Sequence, residues 1–183
     1  MSQIESNKSG QGVPTGPDLR GIDRLIAYVQ SMEPLRIAVV HPCDALSLGG
    51  AIDAQRAGII EPVLVAPTKK LHKVASDAGL DISGHEIIDV PHSHAAAATA
   101  ARLAGKGEVQ ALMKGSLHSD EYLGAILMPE AGLRTERRLT HCYVMQTDSY
   151  PRPFIITDAA INIAPTLEIK ADIVRNAIDL ARA

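Results

Sequence analysis

Four short and nearly continuous apolar segments recur along the chain with helical stretches between them: Arg36–His41 (RIAVVH), Pro62–Ala66 (PVLVA), Glu86–Val90 (EIIDV) and Val109–Met113 (VQALM). A strand that is apolar on both of its faces has to be covered on both faces, which is the signature of a parallel sheet between two helical layers. The intervening segments are long enough for the crossovers that parallel neighbours require. Ala45–Ala57 reads as a helix closed by Gly58, and Thr68–Ala78 as a helix with Thr68 at its N-cap and Gly79 as its stop. His92–Ala104 is an alanine-rich helix running to Gly105. The fold class that follows is α/β: a three-layer, mainly parallel sheet with flanking helices.

The flanks of this pattern differ. Residues 1–20 are rich in Ser, Gly, Gln and Pro and poor in large apolar side chains, so a loose, disordered tail is expected. Ile22, Leu25, Ile26 and Val29 then recur at helical spacing up to Met32, and Pro34 stops that helix. After the fourth strand come Lys114-Gly115-Ser116, a helix opening near His118–Asp120, and a basic turn from Gly132 to Arg138. Thr140–Gln146 and Pro153–Thr157 read as strands joined by a hairpin link over Thr147–Pro151. Pro165 sits where it can occupy the first turn of a final helix through Ala181, whose broad apolar face needs a partner. The expected organisation is a tail over 1–20, an α/β domain over 21–139, and the beginning of a second domain, cut short, over 140–183.

Composition excludes several classes. Of 183 residues 46% are hydrophobic, enough for a sizeable core, and a net charge of −3 offers no field for nucleic acid or an anionic membrane. One Phe, four Tyr and no Trp provide no stacking platform for bases. No apolar run approaches the ~20 residues of a membrane helix and no cleavable signal stands at the N-terminus, so a cytoplasmic location is expected. Cys43 and Cys142 form no CxxC pair and are both expected to be buried thiols.

Three clusters could carry chemistry. Lys114, Ser116, His118 and Ser119 lie at or just past a strand end and before a helix start, where amides and a cation favour an anion; the alternative is a turn with a solvated lysine. Arg134, Arg137 and Arg138 could match a phosphate bidentately or be ordinary solvated surface. Asp158 and Asn162 could orient a substrate, but bracing their own loop is the favoured use. His41, His92, His94 and His141 lack the ligand spacing of a zinc site, so no metal is expected. Neither a G-x-G-x-x-G nor a phosphate-binding G-x-x-x-x-G-K-[ST] loop is present.

The segments MKGSLHSDEYLGAIL, GLRTERRLTHCYVM and PFIITDAAINIAPTLEIKADIVRNAIDLA resemble the phosphate acetyltransferase and phosphate butyryltransferase family over roughly residues 22–183. HPCD before a helix and EPVLVAP are similar to the family's opening. The resemblance implies reversible transfer of an acetyl or butyryl group, acyl-CoA plus phosphate giving acyl phosphate plus coenzyme A. A base would take the thiol proton, the thiolate would attack the acyl carbonyl, and cationic groups would hold the phosphate. It also implies a two-domain fold like that of the isocitrate and isopropylmalate dehydrogenases, a homodimer or higher oligomer, and no cofactor beyond coenzyme A as substrate. By position Ser116, Ser119 and Arg134 match family residues facing the cleft. With Lys114, His118 and Arg137 they make up the expected phosphate and substrate site, while no residue is assigned as the thiol-activating base. The sequence departs from the family at Gly124, where many relatives carry an arginine, and in its length, so a truncated enzyme is the expectation. A non-catalytic α/β remnant or binding module, and a nicotinamide-dependent dehydrogenase-like enzyme, are the competing classes.

Overall fold

In the computed structural model, which describes residues 21–183, four strands pair in parallel: β1 (Leu35–Val40), β2 (Ile60–Ala66), β3 (Glu86–Asp89) and β4 (Ala111–Lys114), in the order β3-β2-β1-β4. The tail expected over 1–20 lies outside the described residues. Alternate strand residues go to opposite sides. Ile37, Val39, Leu64 and Ala66 pack with Leu48 and Ile52 of α2 (Ala45–Arg56) and with Leu71 and Ala75 of α3 (Thr68–Ala78). Ala38, Val40, Val63 and Val65 face Ala96, Ala97 and Ala100 of α4 (Ser93–Gly105), with Tyr122 and Ala125 of α5 (Ser119–Ile126) at the margin. This is the expected sheet between two helical layers. Small alanines on α4 let that helix lie close to the sheet, and Tyr122 Oη donates to the Leu112 carbonyl at 3.1 Å, tying α5 to β4.

Local chemistry shifts several boundaries. β4 runs to Lys114, one residue past the expected end, because Gln110 docks first: its N–H donates to Arg36 O and its Oε1 accepts from Arg36 N, and the ladder then pairs Ile37 with Ala111 through Val40 with Lys114. Thr68 is the first residue of α3 and not its cap. Pro67 occupies the cap position, and the Thr68 N–H is satisfied by Asp89 Oδ1 at 2.8 Å, from the end of β3. That bond, with Thr68 Oγ1 and nearby Lys69, holds the Asp89 carboxyl below the usual range. At the opposite, amino-terminal end of the strands, Arg36 bridges Glu61 and Glu86 across three strands at 2.7 and 2.6 Å.

Beyond α5 a 3₁₀ turn (Pro129–Ala131) ends at Gly132, whose φ of 69° is accessible to glycine at little cost. The chain then crosses residues 133–141 without regular structure to an antiparallel hairpin, β5 (Cys142–Thr147) and β6 (Tyr150–Thr157). Its link is shorter than expected, since Tyr150 already pairs with Thr147. α1 (Gly21–Val29) packs on this hairpin, the Ile22 N–H donating to Gln146 Oε1 at 2.7 Å. The last helix, α6 (Leu167–Arg182), starts after Thr166, whose Oγ1 accepts from Ile169 N; Pro165 therefore precedes the cap. Cys43 is buried as expected, but Cys142 is only half-buried because the hairpin has an open face. Ile173 is the buried residue of α6, while Leu167, Val174, Ile178 and Leu180 stay exposed.

The two kinds of apolar residue should respond differently to truncation. Leu64→Ala, in the double-sided core, should lower the unfolding free energy by about 2–5 kcal/mol. Ile163→Ala, at a residue 93% exposed, should change it by less than about 0.5 kcal/mol. Urea denaturation monitored by circular dichroism checks both.

Candidate functional site

In the strand order β3-β2-β1-β4 the chain steps outward from β1 to β3 and then returns to the other side of β1. The carboxyl ends of β1 and β4 therefore flank the point where the order reverses, the place where open α/β sheets leave a crevice for ligands. Two segments meet there: His41-Pro42-Cys43-Asp44 leading into α2, and Lys114-Gly115-Ser116-Leu117-His118 leading into α5.

They are joined through an unusual residue. His41 is buried and has a φ of 53°, a conformation that non-glycine residues adopt at a cost of about 1–3 kcal/mol unless their surroundings enforce it. The surroundings do. His41 N donates to Val65 O at 2.8 Å, and His41 O accepts from Cys43 N, Ser116 N and Ser116 Oγ at 2.8, 2.9 and 3.0 Å. The ring is fixed too, with Nδ1 3.0 Å from Ser116 O, an acceptor, so the proton is assigned to Nδ1. Ser116 Oγ also accepts from Cys43 N at 3.1 Å. Its hydroxyl proton is thus committed to His41 O, and Ser116 serves here as a brace between the two loops.

Gly115 makes this approach possible. A Cβ on it would stand 2.5 Å from Val40 O and 2.6 Å from His41 O, distances no side chain tolerates. Asp44 caps α2, its Oδ1 accepting from Ser47 N at 2.7 Å. Hydrogen bonds from the Ser47 amide and hydroxyl and from the Leu46 amide outweigh the desolvation that opposes them and hold the Asp44 carboxyl below the usual range. The Cys43 thiol is pushed up by burial, with Asp44 adding to the effect and Lys70 opposing it, so it is no thiolate at neutral pH.

Lys114, His118 and Ser119 are exposed around this corner. Lys114 Nζ touches only Gly115 O, at 3.4 Å, among the described residues. His118 is the N-cap of α5 without a side-chain cap bond, which leaves the first amides of that helix open. The arginines stand elsewhere. Arg134, Arg137 and Arg138 line a groove of about 840 Å³ with Leu127, Leu133, Asn162 and Asn176, and Lys114, Ser116, His118 and Ser119 are not part of its lining. Arg137 is ion-paired with Asp179 of α6, which raises its pKa, and Arg138 N donates to Asp172 Oδ2 at 3.4 Å. Arg134 has no ion-pair partner among the described residues.

Asp158 and Asn162 brace their loop. Asp158 Oδ1 accepts from the Ala160 and Ile161 amides, and Asn162 Nδ2 donates to Asp158 and to Leu139 O. Burial works against the charged Asp158, but these donors win and lower its pKa. Among the described residues no group of three His, Cys, Asp or Glu side chains is placed to hold a metal. No helix among them is long and apolar enough to cross a membrane.

His41, Cys43 and Asp44 were not singled out from sequence as members of this corner. The available signal was HPCD directly after the first parallel strand, the position symmetric to Lys114-Gly115-Ser116 after the fourth.

Two substitutions test the corner. Gly115→Ala should destabilise the protein by about 1–3 kcal/mol, because the Cβ must push β4 away from β1. Asp44→Ala should cost about 0.5–1 kcal/mol at pH 7, the low end for a cap because Asp44 is exposed. The folded carboxyl titrates lower than the unfolded one, so its contribution is present above the unfolded pKa of ~3.9 and fades as pH falls through the folded value. The stability gap between native and Asp44→Ala proteins should therefore narrow below about pH 4 in urea titrations.

No family model matches the chain. The phosphate acetyltransferase of Rhizobium meliloti is 52% identical over 158 residues, 86% of this chain and 50% of that protein. The phosphate butyryltransferase of Clostridium acetobutylicum is 32% identical over 165 residues, 90% of this chain and 55% of that protein. A phosphotransacetylase structure from Streptococcus pyogenes superposes with a TM-score of 0.73 at 15% identity, over 88% of this chain and 59% of that one, which shows likeness of fold. The chain spans about half the length of the curated relatives it matches. Within that span, the chain belongs to the phosphate acetyltransferase and phosphate butyryltransferase family.

Proposed function

We propose that the chain provides the phosphate-side wall of a phosphate acyltransferase site, one that exchanges an acetyl or butyryl group between coenzyme A and inorganic phosphate. The observation that carries this reading is the corner at the ends of β1 and β4. There a lysine without an ion-pair partner among the described residues and the uncapped start of α5 adjoin the point of strand reversal, in a chain 52% identical to a phosphate acetyltransferase. Helix amides and a point cation together favour an oxyanion.

In this reading Lys114 and the amides near His118 and Ser119 receive phosphate oxygens. Ser116 holds the corner through His41, or turns its hydroxyl to the ligand if that brace opens. Arg134, on the neighbouring groove, meets the phosphate or the coenzyme A end of the substrate, and Arg137 joins it only by leaving Asp179. Coenzyme A enters as substrate with no further cofactor. The two-domain arrangement of the isocitrate and isopropylmalate dehydrogenases, with units over 21–139 and 140–183, a homodimeric or higher assembly and a cytoplasmic setting belong to the same proposal. The irregular crossing at 133–141 and the separate β5–β6 sheet support the division. No residue at this corner is assigned as the thiol-activating base.

Isothermal titration with inorganic phosphate should show saturable binding to the 183-residue chain. Lys114→Ala should weaken it about 10–100-fold, the range for a lost charged hydrogen bond, with circular dichroism unchanged. Arg134→Ala should weaken acyl-CoA or phosphate binding without loss of stability. Phosphate binding that is absent, or indifferent to Lys114, overturns the assignment.

A further inference from the structure

Between α4, α5 and the 3₁₀ turn lies a second cavity, of about 480 Å³, whose walls include Ala98, Ala101, Glu121, Gly124, Ala125 and Met128. It goes beyond the acyltransferase reading, since Lys114, Ser116, His118 and Arg134 are not among its lining residues. Its size is that of a small-molecule site, roughly 300–1,000 Å³, and its walls are mostly apolar.

Glu121 is the unexplained group. Its side chain is only 8% exposed, and its Oε1 is buried without a hydrogen bond among the described residues. His94 Nδ1 stands 3.3 Å away on an exposed imidazole but is not aligned to donate. A buried carboxylate oxygen left without a donor is costly, and the missing partner is an N–H or O–H group. Nothing in the core around it supplies one, and the cavity is where one can enter.

The charges select the ligand's sign. Asp120, Glu121 and Glu130 line the cavity against one arginine, Arg102, whose guanidinium lies 3.4 Å from Thr99 Oγ1, and against His94, which adds a positive charge only when protonated. The wall is negative on balance, so a cation is favoured. It is an organic cation, because no three metal-ligating side chains converge among the described residues. Gly124 supplies the room: a Cβ there would meet nothing within 4 Å, so the space beside Ala125 and Met128 is open to an apolar body.

We propose that this cavity binds a small primary amine, its ammonium group donating to the Glu121 carboxylate and its apolar chain lying over Ala98, Ala101, Ala125 and Met128. Isothermal titration of the full chain with n-hexylammonium chloride, in a buffer free of primary amines, tests it, with hexan-1-ol as the uncharged comparator. Saturable one-site binding of the amine is expected, with hexan-1-ol at least tenfold weaker. Glu121→Gln, which keeps the shape and removes the charge, should weaken the amine at least tenfold. Gly124→Met, which fills the cavity from an open position, should abolish binding; it decides the matter if the Glu121 variant fails to fold by circular dichroism. Absence of saturable binding, equal binding of amine and alcohol, or binding indifferent to both substitutions overturns the proposal.

Discussion

The contact between Gly115 and the carbonyl oxygens of Val40 and His41 sets the distance between β1 and β4 where they end, and much of the candidate site follows from it. With no Cβ in the way, Gly115 N donates to Val40 O and Ser116 N to His41 O, both at 2.9 Å, so the ladder continues one step beyond the last strand residue. Ser116 then lies beside Cys43, and its hydroxyl closes the corner. His41 can hold a left-handed backbone because its amide, carbonyl and ring are each bound. A strained residue persists where its neighbours over-determine it.

This arrangement divides labour among groups that look alike in sequence. Ser116, a hydroxyl next to a lysine and a helix start, resembles a ligand-binding group, yet its hydrogen bonds are spent on the protein. The exposed donors at the corner are instead Lys114 and the first amides of α5. Among the arginines the same sorting occurs through Asp179: all three line the groove, but Arg137 is already ion-paired there, whereas Arg134 and Arg138 have no ion-pair partner among the described residues. Charge near a site is therefore a poor guide to which cation meets a substrate; the competing acceptors within the protein decide.

The strands of the parallel sheet were readable because RIAVVH, PVLVA and EIIDV need cover on both faces, and the two helical layers provide it. The helix stops at Gly58 and Gly79 were readable because a left-handed cap is a one-residue requirement. Features that depend on two distant segments were not. The cap of α3 comes from Asp89, 21 positions away, and Thr68 offered a local candidate that the fold did not use. The link in β5–β6 is shorter than Tyr150 and Pro151 suggest, because Tyr150 pairs with Thr147 and β6 already starts there. Likewise the sequence shows of His41 only that it lacks zinc-ligand spacing and opens HPCD, and its place beside Ser116, 75 positions on, appears only when β1 and β4 pair.

By itself the sequence determined what is local or periodic: the alternation of strand and helix, the parallel class of the sheet, the hairpin, the final amphipathic helix and the resemblance to the phosphate acyltransferases. These follow from hydrophobic period and cap chemistry, which act over a few residues. Tertiary structure alone decided the order β3-β2-β1-β4, the brace of His41, Cys43 and Ser116, the separation of the arginines from the lysine corner, and the burial of Glu121 without a donor. The physical reason is that hydrogen-bond satisfaction and desolvation depend on which groups become neighbours, and neighbours far apart along the chain are chosen only when the sheet closes around its core.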